Sequence, residues 1–141
     1  MIDERIRLYK LIQEDGKHDY SQQIEMLETY REYFDDRFWG FEVPSTWMYA
    51  IEKFLQQAKF HHEKNNYKIN ILQIKEKFGC LRIYATVENE NDDRNILTEM
   101  ISYARAITDH TCAKCGKMQV GLRSRKDWIS YLCDECFERK E

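Results

Sequence analysis

Two cysteine pairs constrain this chain more than any other feature of its sequence. Cys112-Ala113-Lys114-Cys115 and Cys133-Asp134-Glu135-Cys136 are separated by 17 residues, inside the C-x₂-C-x₁₅₋₂₀-C-x₂-C window that reads as a zinc site. Four thiolates at about 2.3 Å around one ion fill a tetrahedral shell, and a filled shell is structural rather than catalytic. The expected cofactor is therefore one structural Zn²⁺ held by Cys112, Cys115, Cys133 and Cys136. A fifth cysteine, Cys80, makes the number odd, and in a reducing compartment this set suits metal ligation better than a disulfide framework. Cys80 itself reads as a small turn residue with an exposed free thiol, since a Cys₄ shell has no vacancy for it.

The stretch between the pairs supports a small finger. Residues 118–122 and 127–132 alternate well enough for a hairpin turning around Arg123-Ser124-Arg125-Lys126. From Cys133 to Lys140 the pattern is a short helix, with acids in its first turn and bases in its last. Knuckle, hairpin, then a helix supplying the last ligands is the order of a treble-clef-like finger. A zinc ribbon fits less well, because only five residues follow Cys136.

Upstream, apolar spacing predicts helices over 2–14, from 19 or 21 to 34, over 46–62 and over 93–109. The first carries Ile2, Ile6, Tyr9 and Ile12, with Leu8 and Leu11 beside them. Between the second and third helices, Phe38, Trp39 and Phe41 sit in an aromatic loop and read as core plugs. Two β-rich runs, 67–78 and 81–88, are separated by Gly79-Cys80, which predicts a hairpin with a type II′ turn. That register pairs Phe78 with Leu81, Glu76 with Ile83, Ile74 with Ala85 and Leu72 with Val87 on an apolar face. Lys77 with Arg82, Lys75 with Tyr84 and Gln73 with Thr86 form the other face, which is basic. The fold class expected is α+β: helices packed on a hairpin or small antiparallel sheet, followed by the Cys₄ finger. Residues 1–110 form the α+β domain, with 1–39 a helical N-terminal extension, and 111–141 form the finger.

Net charge argues against nonspecific attraction to nucleic acid or anionic lipid, since the chain carries 22 basic and 25 acidic residues. The charge is segregated, however. Five basic residues stand against one acidic residue between 64 and 87. Lys75, Lys77 and Arg82, with Tyr84 available for stacking, could hold phosphate or an acidic protein surface. Arg123 and Arg125 in the finger are further partner-binding candidates. Glu76 falls on the apolar face, where an unpaired carboxylate is costly, so a buried cation or a backbone donor is expected beside it.

Several activities find no support. A nuclease built on such a finger needs histidines for base and metal, but the last histidine, His110, precedes the first zinc ligand. A deaminase signature read from His61-His62-Glu63 lacks the Pro before Cys112 and leaves Cys133 and Cys136 without a role. His61 and His62 read instead as the polar end of a helix. No nucleophile, base and orienter can be assembled, and no Gly-rich phosphate loop is present, so the protein is not expected to be an enzyme. No apolar run reaches membrane-spanning length and Met1–Arg5 lacks signal-peptide character, so a cytoplasmic protein with no membrane partner is expected.

Lys75-Glu76-Lys77-Phe78-Gly79, Leu81-Arg82-x-Tyr84, then Cys112-x-x-Cys115-Gly116 and Trp128 ahead of Leu132-Cys133-x-x-Cys136 resemble a group of small bacterial and phage proteins without established function. In that group the strand turn reads Phe-Gly-Gly-Leu-Arg, preceded by a Gly-Trp helix start. Here Cys80 replaces the second Gly, and Ser45-Thr46 precede Trp47. The resemblance covers residues 40–136 and implies the fold but no activity. With it, the leading expectation is a small non-catalytic zinc-binding protein that engages a macromolecular partner, a protein above all, in host–phage or toxin–immunity conflict. The alternative is nucleic-acid binding through the basic hairpin face and the finger.

Overall fold

Apolar residues at helical spacing build the first half of the chain. The computed structural model describes residues 2–88, 93–125 and 128–138, apart from the side chain of Arg125. Helix α1 (Ile2–Ile12) buries Ile2 and Ile6. Leu8, Leu11 and Ile12 are exposed, contrary to the predicted stripe, because the nine-residue α2 (Ser21–Thr29), its main partner, covers one side of it only. α2 stops short of the predicted residue 34. Arg31–Tyr33 tighten into a 3₁₀ turn and Phe34 becomes extended, so that its backbone bridges to Ile71. Asp35 locks this crossing by accepting from Arg37 Nε at 2.8 Å, Asn70 Nδ2 at 2.7 Å and the Arg37 backbone N–H at 2.8 Å. These donors, the Arg37 guanidinium first, hold the Asp35 carboxyl well below the usual carboxylate range.

The aromatic loop is split. Phe38 is buried and Phe41 stacks against it with ring centroids 5.3 Å apart, whereas Trp39 is 67% exposed with the Arg5 guanidinium 4.2 Å over its ring. Trp39 is therefore not a core plug. Gly40 explains the division: at φ 138° it lies so close to Tyr9 that a Cβ would meet the Tyr9 hydroxyl at 2.8 Å, and the chain swings Trp39 and Phe41 to different sides.

The sheet is β1 (Phe41–Glu42), β2 (Lys68–Lys77) and β3 (Cys80–Glu88) in the order β1-β2-β3, with β1 parallel and β3 antiparallel to β2. Its hairpin turns at Phe78-Gly79, one residue earlier than predicted. Lys77 pairs with Cys80, and both central residues have positive φ, 53° and 81°, as a type I′ turn requires. Consequently Glu76 lies opposite Leu81, Lys75 opposite Arg82, Ile74 opposite Ile83 and Gln73 opposite Tyr84. Moving the turn by one residue slides every partner by two, and a slide of two leaves each side chain on its own face. The apolar and basic faces are therefore as predicted, with three exceptions. Phe78 leaves the strand and is 68% exposed at the tip. Leu72 is an extra residue between the pairs Ile71–Ala85 and Gln73–Tyr84, a β-bulge rather than a partner of Val87. Glu76 is exposed, not buried, and has no cation beside it; its Oε2 accepts the Gly79 N–H at 2.6 Å.

Two helices cover the apolar face. α3 (Met48–Asn65) packs on β2, with Ile51, Phe54 and Leu55 fully buried, and α4 (Asn95–Thr108) packs on β3 and α3 through Leu97, Met100 and Ala104. The C-terminal segment adds β4 (Gly121–Arg125), β5 (Trp128–Leu132) and the short α5 (Asp134–Glu138). β4 runs through the residues expected to turn, with Arg123 opposite Ser130 and Arg125 opposite Trp128. This ribbon is largely exposed, so charged residues sit in it at no desolvation cost and charge did not mark the turn. Lys126 and residues 139–141 lie outside the described residues. No helix among the described residues is long and apolar enough to cross a membrane.

Candidate metal centre and the basic hairpin face

The first cysteine pair is held by its own backbone. Gly116 N–H donates to the Cys112 carbonyl at 3.0 Å and Cys112 N–H to the Lys117 carbonyl at 2.8 Å, a tight knuckle that Gly116 permits at φ 81°. Ala113 N–H donates to the Tyr131 carbonyl at 2.8 Å, which fastens the knuckle to β5. β5 runs directly into Cys133, and α5 carries Cys136 in its first turn. The Cys136 N–H points at the Cys133 Sγ at 3.4 Å. A side chain distant in sequence completes the frame: Thr46 Oγ1 donates to the Cys112 carbonyl at 2.9 Å.

These local folds bring Cys112, Cys115, Cys133 and Cys136 together, with all four sulfurs within 4.8 Å of one another and Cys115 Sγ 3.7 Å from Cys133 Sγ. A tetrahedron with metal–sulfur bonds of about 2.3 Å has an edge of about 3.8 Å, so the spacing fits one ion. It is far outside disulfide length, and all four are free thiols. Their electrostatics point the same way. Burial pushes the Cys112 thiol up, but backbone N–H groups of Cys115, Cys133 and Lys114 outweigh it and bring it down to about 6. Cys136 is pushed up to about 12 by its contact with Cys133 and by burial. Four sulfurs this close cannot all ionise against one another, and a shared cation removes that conflict. The four cysteines can therefore hold one metal ion. Cys80 stands apart from this group; it is half-buried and opens β3, rather than being exposed in the turn.

The basic candidates divide. Lys75 lies directly opposite Arg82, with Tyr84 next along that face and 45% exposed. Lys77 stands at the tip, its Nζ 5.8 Å from the Phe78 ring centroid. None of Lys75, Lys77 and Arg82 has an ion pair among the described residues. Arg123, by contrast, pairs with Asp134 and lies 5.0 Å over the Phe137 ring, so it ties β4 to α5. The Arg125 side chain lies outside the described residues. His62 is hydrogen-bonded to the Tyr33 hydroxyl at 2.9 Å and lies 3.2 Å from Glu32. Burial pushes that buried tyrosine hydroxyl up to about 12, and the polar helix end predicted for His61 and His62 is what they form.

The finger and the body meet at two places that the sequence did not announce. One is Thr46. The other is Gly79, where a Cβ would stand 3.1 Å from Leu122 Cδ1 and 3.3 Å from the Ile129 carbonyl, so the hairpin tip rests on the β4–β5 ribbon. Beside this contact a cleft of about 650 Å³ opens between Glu76, Phe78, Lys114 and Trp128.

No family model, no curated protein and no solved structure matches this chain. The resemblance to small bacterial and phage proteins therefore stands on the motifs of residues 40–136 alone.

Proposed function

We propose that this is a non-catalytic zinc-binding protein that engages a macromolecular partner, a protein in preference to a nucleic acid, through the hairpin face bearing Lys75, Lys77, Arg82 and Tyr84. The observation that carries this reading is the direct opposition of Lys75 and Arg82. Like charges facing each other across a strand pair are destabilising, and no carboxylate among the described residues relieves them. A face kept at that cost suits an acidic surface supplied from outside. The metal in this proposal is zinc, held by Cys112, Cys115, Cys133 and Cys136 in a treble-clef finger of residues 111–141 set against an α+β unit of residues 1–110. Its role is structural, because four thiolates leave no coordination position for a substrate. Nucleic acid is disfavoured by the overall acidic balance and by Arg123, whose charge is already met by Asp134. A reducing cytoplasm keeps such thiols available for zinc, and a setting in host–phage or toxin–immunity conflict accords with the motif resemblance.

Affinity capture from the source cell with the wild-type chain and with the Lys75→Glu, Lys77→Glu, Arg82→Glu variant tests this. The expected result is a protein partner that survives nuclease treatment and is lost with the variant, while zinc content and melting temperature stay nearly unchanged, since exposed charges add little to folding. Capture retained by the variant, or abolished by nuclease, overturns it.

A further inference from the structure

We infer that the free edge of β3 receives an extended acidic segment of the partner protein as a fourth strand. This rests on the proposal that the basic face is the contact surface, and adds how contact is made. The sheet order leaves β3 at one side, and among the described residues only β2 hydrogen-bonds to its backbone. An open edge is an invitation to pairing, and proteins ordinarily blunt it by making the edge strand short, by placing Pro, Lys or a bulge in it, or by covering it. β3 has none of the first three defences. It is nine residues long, Cys80–Glu88, longer than the usual five or six. It contains no Pro, Gly or Lys, and the bulge of this sheet, at Leu72, lies in the inner strand and leaves the edge regular. Its composition of Leu81, Ile83, Tyr84, Thr86 and Val87 is that of a good strand.

Geometry sets what such a guest strand would meet. Next to a two-residue turn, Lys77 and Cys80 exchange both of their hydrogen bonds, so Arg82 and Tyr84 also bond inward to β2. The N–H and C=O groups of Leu81 and Ile83 then face the open edge. A strand laid there would form main-chain bonds with Leu81 and Ile83, while its side chains on the solvent face would lie beside Arg82 and Tyr84. The residue beside Arg82 is favoured as an acid, because it faces the uncompensated charge that Arg82 shares with Lys75. An apolar residue two positions on would cover the ring of Tyr84. A phosphate chain could use the cations but has no amide groups to continue the sheet. A second copy of this chain would bring another Arg82 to the same edge.

The test uses the full zinc-loaded protein and a synthetic peptide alternating Glu with Val, capped at both ends, followed by amide hydrogen exchange. Binding should slow exchange at Leu81 and Ile83 by roughly tenfold or more, the signature of newly made main-chain bonds. Replacing the central Val of the peptide with Pro should weaken binding by roughly tenfold, and Lys75→Glu with Arg82→Glu should abolish it. Binding that needs the cations but leaves Leu81 and Ile83 exchanging freely overturns strand addition and leaves the basic-face proposal standing. Binding unaffected by the charge reversals overturns that proposal itself. Protection of the two amides in the free protein through dimerisation, tighter binding of short oligothymidine, or no binding of the peptide each overturns the inference.

Discussion

The buried clusters of the helical body and of the C-terminal segment are made of different materials. In the body, Leu27, Trp47, Phe54, Leu55, Ile71 and Leu97 are among many side chains removed from water. In the segment the buried set is Cys112, Val120, Leu132, Cys133 and Cys136, so most of it is candidate metal ligand. Burial of apolar area at about 25 cal/mol per Å² is enough to hold the first. It cannot hold the second, because two buried aliphatic side chains do not offset an ordering cost of about 1–2 kcal/mol per residue. Four converging thiols supply the missing cohesion once a cation joins them. The lesson is that one chain can stabilise adjoining parts by unrelated means, and each part should then fail in its own way.

The largest effect expected follows from removing the metal. Zinc should be present at about one equivalent per chain, and its binding free energy is on the order of 10 kcal/mol. Chelation or Cys133→Ser should leave residues 111–138 unprotected in hydrogen exchange while α1 to α4 and the three-stranded sheet keep their protection. Elemental analysis showing less than half an equivalent, or loss of the body together with the finger, would erase the contrast. Next comes Phe54→Ala, which opens a cavity in the body and should cost about 3–5 kcal/mol by denaturant unfolding, with zinc stoichiometry unchanged under native conditions. The smallest effect belongs to the seam. Thr46→Val removes the bond to the Cys112 carbonyl and should cost about 1 kcal/mol. It should appear as roughly fivefold more frequent local opening of the finger amides, with little change in the unfolding of the body.

Much of this was legible in the residues. Cysteine spacing located the four-sulfur cluster, because a ligand set must be written at short intervals in the sequence. Period-two alternation separated Lys75, Lys77, Arg82 and Tyr84 from Ile74, Leu81 and Ile83, and that separation outlived an error in the turn. The error has a physical source. A type I′ turn favours Asn, Asp or Gly at its first central position, and Phe78 is none of these, so turn chemistry pointed to Gly79-Cys80. Thr46 was illegible for another reason: a single side-chain bond to a carbonyl 66 residues away leaves no periodicity behind. Charge in Arg123-Ser124-Arg125 suggested a turn only where strands were assumed to have a dry side, which the β4–β5 ribbon lacks.

Leu72 changes how β2 tolerates alteration in length. Without it the strand would read Ile69-Asn70-Ile71-Gln73-Ile74-Lys75, inward and outward by strict turns, against the same partners from Val87 to Arg82. Leu72 is thus a parenthesis in the strand, one residue that can be struck out without altering the meaning of those around it. A single deletion between Gln73 and Lys77 would invert one half of the hairpin against the other and carry cations toward the helices. The same deletion at Leu72 would leave both faces intact, so at that one position the hairpin can change length and keep its sense.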